Sequence, residues 1–480
     1  MIDLQKAFRL IPAVTLVFTC LGAAESRAED KATLPALNAA ITESSISGIS
    51  SGAFMAVQFG VAWSSDIKGV GIVAGGPYYC AQASLADNMM TGGAGPMMAA
   101  AGPCMAGPPG DLGPRFKAAQ DKAASGDIDS LDNLARQKIY IFHGYNDKVV
   151  ARPVTDATAR FYEKYLGDRA AGNLYYQAAI GAGHSYVVPE AGNPKLEACP
   201  ANKLPYIDQC GYDQAGVILQ HIYGALNPPS AVLGGTLKSF DQSAYTGSDI
   251  PDALSMADEG FVYVPKDCAG GAACRGHVAL HGCQQDVGKI GKLFVEEAGY
   301  NRWADSNRII VLYPQAKASP FLPMNPAACW DWWGYVTFDD SYVTKSGRQI
   351  AAIKAMLDAL TSGAKGGAVA AGAPFALTVN DRSDAQVDLV WTAAPNASAY
   401  RVFRAGADGQ YRPVGEVANG LSFADRGLAP ATSYSWRVAP MVAGAAQAPS
   451  NTTSATTLGT PAPCASPGAC PLPIAETRAP

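Results

Sequence analysis

Residues 48–52 read G-I-S-S-G, a G-x-S-x-G pentapeptide with Ser50 at its centre. Residues 40–47 before it can form a short strand and residues 53–62 after it a helix, so the serine lies where a strand turns sharply into a helix. This is the context of a nucleophile elbow, which needs small residues two positions before and after the serine. A chain with 50 glycines also produces such pentapeptides in ordinary turns, so the flanking pattern carries the prediction that Ser50 is a nucleophile.

A serine hydroxyl becomes an effective nucleophile when a histidine takes its proton and a carboxylate orients that histidine. His184 lies in a Gly-rich loop after the apolar run 174–180, and Asp147 directly follows the apolar strand 138–142. Aspartates in turns and histidines in loops are common without catalysis. The chain order Ser50, Asp147, His184 is nevertheless that of α/β-hydrolases, and it makes these three the predicted catalytic residues.

The remaining histidines have simpler interpretations. His221 lies in the helical run 217–223, which indicates a surface or packing role. His277 is predicted to open a strand. His143 and His281 each precede a glycine at a strand end, where shaping the loop is the expected role.

The segment 278–283 is a strand that ends in an H-G turn. Such a turn supplies one backbone N–H of an oxyanion hole, and the residue after the nucleophile supplies the other. The predicted donors are therefore Cys283 and Ser51. An H-G strand ordinarily precedes the nucleophile, but here it follows, and a helix over 287–306 and a strand over 308–314 come after it. The sequence predicts a circularly permuted α/β-hydrolase domain with a mostly parallel sheet.

Four segments have distinctive motifs: 48–53 (G-I-S-S-G-A), 75–80 (G-G-P-Y-Y-C), 280–285 (L-H-G-C-Q-Q) and 329–333 (C-W-D-W-W). Together they resemble a known family, the secreted polyhydroxybutyrate depolymerases with a circularly permuted catalytic domain. The resemblance covers roughly residues 38–360. It implies hydrolysis of poly(3-hydroxybutyrate) or its oligomers, with the triad and the oxyanion donors at the positions already predicted from spacing.

Two other functions stay open at this point. One is a secreted carboxylesterase for small soluble or aryl esters, which would not erode an insoluble polyester. The other is a non-catalytic polymer-binding or adhesion protein, which would hydrolyse no ester at all. The predicted mechanism needs no metal and no organic cofactor.

Two further segments have alternative interpretations. Trp332 and Trp333 belong to an aromatic group that can line a subsite for an apolar ester chain or fill a core, and they are the favoured substrate-binding residues. The stretch 81–116 is rich in Gly, Ala, Pro and Met. It is either an adaptable surface near the site or a disulfide-pinned loop packed on the domain.

The N-terminus carries Lys6 and Arg9, then the apolar run 10–21, then a small-residue cleavage site, which predicts a signal peptide over 1–28 and a secreted protein. That run is too short to span a bilayer comfortably, and no later run of about 20 apolar residues exists. The net charge of −5 and the absence of a long basic run argue against a nucleic-acid partner.

The chain has 11 cysteines, and removal of Cys20 with the signal peptide leaves an even number, which suggests disulfides in an oxidising compartment. Zinc is disfavoured because the cysteines form no paired C-x2-C arrangement with matching histidines. Sequence alone leaves the connectivity open. Nearest-neighbour pairing would join Cys80 with Cys104, Cys199 with Cys210, Cys268 with Cys274, Cys283 with Cys329, and Cys464 with Cys470.

The pattern changes after the predicted catalytic domain, residues 29–362. Residues 363–373 are a Gly/Ala linker, and residues 374–458 show short alternating strands with a tryptophan in an early strand and Tyr434 at a predicted tyrosine corner. This part resembles a fibronectin type III sandwich. Residues 459–480 are a Pro/Ala-rich tail, so a dedicated C-terminal polymer-binding domain is not expected. These patterns make no prediction of oligomeric state.

Overall fold

A computed structural model gives the fold of most of the chain. It describes residues 32–82, 94–189, 192–247, 249–363 and 377–458, the last range with interruptions at 383–384, 392–393, 395–396, 398, 418–421, 443–444 and 448. The chain divides into two compact units, Met1–Gly366 and Gly367–Pro480. The predicted signal peptide, nearly all of the predicted linker, and the predicted tail fall outside the described residues.

The first unit is built around an eight-stranded sheet. The described strands of the whole unit, in chain order, are β1 (Ser44–Ile49), β2 (Ile67–Val73), β3 (Lys138–Phe142), β4 (Leu174–Gln177), β5 (Tyr186–Val188), β6 (Glu197–Ala198), β7 (Ile207–Gln209), β8 (Thr236–Asp241), β9 (Glu259–Val264), β10 (Arg275–Leu280) and β11 (Ile309–Tyr313). The large sheet has the order β4-β3-β2-β1-β10-β11-β9-β8, and β5, β7 and β6 form a small separate sheet. Among the described strands of the large sheet, β9 alone runs antiparallel to its neighbours, β11 and β8, so the predicted, mostly parallel α/β fold is confirmed.

Helices cover both faces of this sheet. They are α1 (Ser51–Ala62), α2 (Ala94–Ala101), α3 (Gly113–Ser125), α4 (Arg152–Leu166), α5 (Ala170–Asn173), α6 (Gln214–Tyr223), α7 (Lys266–Ala269), α8 (Val287–Ile290), α9 (Leu293–Glu297), α10 (Tyr300–Asn307) and α11 (Arg348–Thr361). Because strand side chains alternate, Ile46 of β1 packs in the core with α1 and α11, and Ile49 packs in the core with α6 and α10. Every residue of α1 is buried, as expected of a helix that is apolar all round.

The circular permutation is visible in the order of the strands. β10, from late in the unit, pairs in parallel with β1, and Gly48 stands opposite Leu280 in this pair. The strand that ends in the H-G turn is therefore the direct neighbour of the strand that ends in Ser50. Tertiary packing thus places the H-G turn next to the serine, although the two are far apart along the chain. The prediction of a permuted α/β-hydrolase domain is confirmed.

Two predicted elements have different bounds. β1 begins at Ser44, because Ile41–Glu43 forms a 3-10 turn before it. The continuous helix predicted over 287–306 is wrong: this segment forms α8, α9 and the first part of α10. Gly291 and Gly299 adopt φ values of +62° and +87°, and this left-handed backbone interrupts an α-helix.

The second unit is an all-β sandwich, as predicted. Its strands are β12 (Leu377–Arg382), β13 (Gln386–Trp391), β14 (Ala399–Ala405), β15 (Tyr411–Val417), β16 (Ser422–Arg426), β17 (Ser433–Val442), β18 (Ala445–Ala446) and β19 (Thr453–Thr456). One sheet has the order β12-β13-β16; the other has the order β15-β14-β17-β18, with β19 also paired to β17. Trp391 and Trp436 lie in the shared core. The hydroxyl of Tyr434 accepts a 2.9 Å hydrogen bond from the N–H of Ala429, which closes the predicted tyrosine corner.

Within the described residues, four disulfides join nearest-neighbour cysteines, which gives the connectivity that the sequence left open. They are Cys80–Cys104, Cys199–Cys210, Cys268–Cys274 and Cys283–Cys329. The first of them ties Cys104, within the described part of the stretch 81–116, to Cys80 just before that stretch. Cys464 and Cys470 lie outside the described residues. Within the described part of the chain, no helix has both the length and the apolar character needed to cross a bilayer.

Candidate active site

Ser50 lies between β1 and α1 with φ 56° and ψ −123°, a conformation that a non-glycine residue keeps only when its surroundings impose it. Its N–H donates to the carbonyl of Val73 at 2.9 Å, and its own carbonyl accepts from the N–H groups of Ala53 and Phe54 at 2.9 and 3.0 Å. The backbone is therefore held on both sides of the serine. This is the strained strand-to-helix turn that the pentapeptide predicts.

The two glycines of the pentapeptide are required by close backbone contacts. A Cβ atom on Gly48 would lie 2.3 Å from the carbonyl carbon of Gly52, and a Cβ atom on Gly52 would lie 2.4 Å from the carbonyl oxygen of His281. The second contact brings the start of α1 against the end of β10. Side chains at either position would push the serine away from the H-G turn.

Asp147 and His184 form a hydrogen-bonded pair beyond the carboxyl ends of β3 and β4. Asp147 Oδ2 lies 2.9 Å from His184 Nδ1, and Asp147 Oδ1 accepts from the N–H groups of Val149 and Val150 at 2.8 and 2.9 Å. An ionised carboxylate only accepts hydrogen bonds, so Nδ1 carries the proton and Nε2 keeps a free lone pair. The imidazole is thus held in the tautomer that can act as a base.

The surroundings of Asp147 favour its ionised form. Its side chain is fully buried, and burial alone raises the pKa of a carboxyl group. The hydrogen bond and charge of His184 and the two backbone N–H groups outweigh that effect and lower the pKa of Asp147 below its ordinary value. The aspartate is therefore a stable negative charge beside the imidazole.

Topology brings Ser50 to the same edge of the sheet as this pair, because parallel strands present their carboxyl ends together. Within the described residues, the ring of His184 is hydrogen-bonded to Asp147, and no hydrogen bond joins it to the Ser50 hydroxyl. In free enzymes the contact between nucleophile and base is often long and shortens when substrate binds. The structure therefore contains a preformed pair of base and orienting carboxylate, with the predicted nucleophile at the same sheet edge.

Two backbone N–H groups lie beside Ser50. Ser51 is the first residue of α1, where helix N–H groups lack intrahelical partners and the helix dipole is positive. A Cβ atom on Gly282 would lie 3.2 Å from the Cβ of Ser50, so the H-G turn borders the serine. Among the described residues, neither the N–H of Ser51 nor that of Cys283 donates to another group. Both predicted oxyanion donors are therefore available.

His281 controls the orientation of the second donor. Its Nε2 accepts from the N–H of Ala316 at 3.1 Å, so its Nδ1 carries the proton and donates to the carbonyl of Gly282 at 2.7 Å. Burial lowers the pKa of His281 to about 4 and keeps it neutral. Across a trans peptide the carbonyl and the following N–H point in opposite directions, so the N–H of Cys283 points away from His281. The predicted loop-shaping role of this histidine agrees with these contacts.

The aromatic segment is tied to both predicted donors. Cys283 forms a disulfide with Cys329. The next residue, Trp330, donates from its backbone N–H to Ser51 Oγ at 3.3 Å and from its indole N–H to the carbonyl of His281 at 3.0 Å. Trp330 is fully buried, so this tryptophan is part of the frame of the site.

Trp332 and Trp333, the predicted substrate-binding residues, differ in exposure. Trp332 is 4% exposed and stacks on Phe54 of α1 with ring centroids 4.1 Å apart. Trp333 is half-buried and packs edge-on against Trp332 at 5.5 Å. Trp332 therefore supports the helix that follows Ser50, while Trp333 retains accessible ring surface.

The other histidines are held by structural contacts. His143 and His221 each place a ring nitrogen near a backbone carbonyl, at 2.9 and 3.0 Å. His277 lies in the middle of β10, so the prediction that it opens the strand is wrong. Its ring lies 2.6 and 2.8 Å from the hydroxyls of Ser45 and Ser47, and burial lowers its pKa to about 3. In the described part of the chain, no three His, Cys, Asp or Glu side chains are grouped to hold a metal.

Sequence reasoning missed Asn202. Its Oδ1 accepts from the N–H groups of His184 and Lys148 at 2.8 and 3.0 Å, and its Nδ2 donates to the carbonyl of Asn146 at 3.1 Å. One side chain thereby ties the loop of the aspartate to the loop of the histidine. No sequence pattern marks this asparagine, because its partners are distant along the chain.

A strained serine beside an aspartate-histidine pair, at one edge of a permuted parallel sheet, defines a serine hydrolase of the α/β-hydrolase class. Similar proteins are known. A poly(3-hydroxybutyrate) depolymerase from Delftia acidovorans is 39% identical over 413 residues, which cover 84% of this chain and 77% of the relative. A polyhydroxybutyrate depolymerase from Talaromyces funiculosus is 36% identical over 358 residues, or 72% of this chain and 96% of the relative.

Solved structures agree with the sequence relatives. The crystal structure of the PHB depolymerase from Penicillium funiculosum superimposes with a TM-score of 0.60 at 34% identity, covering 69% of this chain and 99% of that one. A serine-to-alanine variant of a PHB depolymerase, complexed with an R3HB trimer, gives a TM-score of 0.61 with the same identity and coverage. No family model matches the chain. This chain belongs to the polyhydroxybutyrate depolymerase family.

Proposed function

We propose that this protein hydrolyses poly(3-hydroxybutyrate) or its oligomers, with Ser50 as nucleophile, His184 as general base and Asp147 as the residue that orients the base. The observation that carries the assignment is the hydrogen bond between Asp147 and His184 Nδ1 at 2.9 Å, at the sheet edge where the strained Ser50 lies. Family membership supports the polyester substrate.

Acylation follows from these positions. Nε2 of His184 takes the proton of Ser50 Oγ as the oxygen attacks the ester carbonyl carbon. The carbonyl oxygen becomes an oxyanion that accepts hydrogen bonds from the N–H groups of Ser51 and Cys283, and such donors typically contribute about 10²- to 10³-fold in rate each. The intermediate collapses, the imidazolium protonates the departing alkoxide, and the shortened chain leaves with a free hydroxyl end.

Deacylation uses the same groups. Nε2 of His184 takes a proton from water, the resulting hydroxide attacks the acyl carbon on Ser50 Oγ, and the same two N–H groups hold the second oxyanion. Collapse then breaks the bond between Ser50 Oγ and the acyl carbon, returns the proton to Ser50 and releases the remaining part of the substrate with a free carboxyl end. Trp333, whose ring remains accessible, is our proposed contact for the apolar part of the polyester, with Trp332 behind it.

We also propose that the protein is exported, with residues 1–28 as its signal peptide. Four disulfides in the described chain fit an oxidising compartment. Mass spectrometry of the protein recovered from culture medium would show whether cleavage follows residue 28.

The decisive assay is clearing of an amorphous poly(3-hydroxybutyrate) suspension, with hydrolysis of p-nitrophenyl butyrate followed in parallel. We expect clearing by the wild type, and a loss of both activities by at least roughly 10⁴-fold in Ser50→Ala. Ser125→Ala is the matched control, because that serine is exposed at the end of α3. Hydrolysis of p-nitrophenyl butyrate without clearing would instead define a small-ester carboxylesterase, and absence of both activities would contradict the catalytic assignment.

A further inference from the structure

Gln285 is a buried glutamine whose amide group joins two separate segments. Its Oε1 accepts from the N–H of Gly282 at 2.7 Å, and its Nε2 donates to the carbonyls of Pro205 and Tyr206, both at 3.0 Å. The side chain is almost inaccessible, at 2% exposure. Rotation of this amide would leave several buried polar groups unpaired, which is energetically costly, so Gln285 is a fixed connection.

The segment it reaches is the loop 199–210, which the disulfide Cys199–Cys210 closes. This loop also contacts the predicted base. Asn202 accepts a hydrogen bond from the backbone N–H of His184 at 2.8 Å, and the ring of Tyr206 packs edge-on against the imidazole with centroids 5.9 Å apart. The loop therefore touches His184 directly and the oxyanion turn through Gln285.

In the H-G turn, both the backbone N–H and the carbonyl of Gly282 are hydrogen-bonded. Gln285 holds the N–H of Gly282, while His281 holds its carbonyl at 2.7 Å. The two peptide planes that flank Gly282 are thereby fixed, including the plane that carries the N–H of Cys283. An oxyanion donor is effective only within a narrow range of distances from the developing charge, so a small rotation of this plane would weaken transition-state stabilisation.

We infer that Gln285 is a positioning residue, through which the loop 199–210 sets the Cys283 N–H and His184 in their relative places. The inference rests on the proposed function, because it assigns Gln285 a part in the same reaction. Gln285 itself does not touch the reacting atoms. Its removal is expected to lower kcat while leaving KM for a short ester nearly unchanged, since substrate binding does not depend on the oxyanion contact.

The test compares Gln285→Met with Gln137→Met, using p-nitrophenyl butyrate and active-site titration to count competent molecules. Methionine keeps the approximate shape and removes all three hydrogen bonds. Gln137 is a matched buried glutamine: its Nε2 donates to the carbonyls of Gly60 and Ile67 at 2.8 and 3.1 Å. We expect kcat to fall by about 10- to 100-fold in Gln285→Met, with KM within about 3-fold, and kcat to stay within about 2-fold in Gln137→Met.

Gln285→Glu provides a second variant, since it keeps an acceptor for the N–H of Gly282 but, when ionised, loses both donors. At pH 8 we expect it also to lose kcat. Either Gln285 variant, folded and with kcat near that of the wild type, would overturn the inference. So would an equal loss in Gln137→Met, or failure of both Gln285 variants to fold. The proposed function is tested separately by Ser50→Ala. If the wild type hydrolyses the ester and Ser50→Ala does not, the proposed function stands even when the Gln285 variants overturn this inference.

Discussion

The backbone of Gly52 lies directly against the carbonyl of His281, so that a Cβ atom at position 52 would lie 2.4 Å from that oxygen. This contact joins the first turn of α1 to the end of β10. It sets the distance between Ser50 and the H-G turn, although the two segments are far apart in the chain.

Gly52→Ala should therefore impair both folding and activity. The obstacle is backbone, which moves less easily than a side chain, and overpacking of this kind costs about 1–3 kcal/mol of unfolding free energy. Urea unfolding and p-nitrophenyl butyrate hydrolysis would measure the two effects. Gly172→Ala is the control: nothing lies within 4 Å of a Cβ there, and we expect a gain of about 0.4–1 kcal/mol. Equal changes in unfolding free energy and in activity for Gly52→Ala and Gly172→Ala would contradict the close contact at Gly52.

Asp147→Asn should lower kcat by roughly 10⁴-fold with little change in KM. An amide at this position can donate to Nδ1 of His184, which favours the tautomer with the proton on Nε2 and removes the base. Steady-state kinetics would measure the loss. Asp121→Asn, on the exposed face of α3 where Asp121 pairs with Lys117, should leave kcat unchanged. Full activity of Asp147→Asn would rule out its orienting role.

Stability should depend on pH through Asp331. Burial raises the pKa of this carboxyl from 3.8 to about 7, even though the backbone N–H groups of Tyr335 and Val336 partly oppose the rise. Between about pH 4 and pH 7 the folded state therefore keeps a proton on Asp331 that the unfolded state has released. The stability that this proton provides is complete below about pH 4 and is lost as pH rises through about 7.

Relative to Asp331→Asn, the wild type should then lose unfolding free energy over that window at a rate on the order of 1 kcal/mol per pH unit. Urea unfolding of both proteins at several pH values measures the difference. A difference that does not change with pH would show that Asp331 does not titrate in this range.

The disulfide Cys283–Cys329 should matter more for activity than Cys268–Cys274. The first closes 46 residues and carries the predicted oxyanion donor, while the second closes 6 residues. We expect the double serine variant at 283 and 329 to lose about 2–4 kcal/mol of stability together with most of its kcat. The matched double variant at 268 and 274 should retain kcat. Comparable kcat values would argue against the assigned role of Cys283.

Substitutions of Trp332 and Trp333 should affect different properties, stability for the first and substrate binding for the second. Trp332→Ala removes a buried ring stacked on Phe54 and should cost about 3–5 kcal/mol of stability. Trp333→Ala should instead raise KM for a 3-hydroxybutyrate trimer while leaving KM for p-nitrophenyl acetate unchanged, because the short ester does not reach the proposed subsite. Calorimetry and kinetics on both substrates would measure this. An unchanged KM for the trimer would remove Trp333 from the subsite.

The sequence by itself determined the elements whose signals are local. Strand β3 has the predicted bounds because five consecutive residues favour a buried strand, and the elbow at Ser50 is marked by a pentapeptide between a strand and a helix. The even number of cysteines left after the signal peptide predicted disulfides, although their connectivity became known only from the structure. The late position of the H-G turn also predicted the permutation, because motif order is readable without coordinates.

Only the tertiary structure decided the contacts that join distant segments. Asn202 and Gln285 are ordinary amides in the sequence, and their roles arise because chain packing brings carbonyl and N–H groups from separate loops within 3.1 Å of them. The predicted helix over 287–306 failed because Gly291 and Gly299 take left-handed conformations, which a helical pattern in the sequence does not reveal. Hydrogen bonds and steric contacts act over a few ångströms of space, whatever the separation along the chain, so no local pattern specifies them.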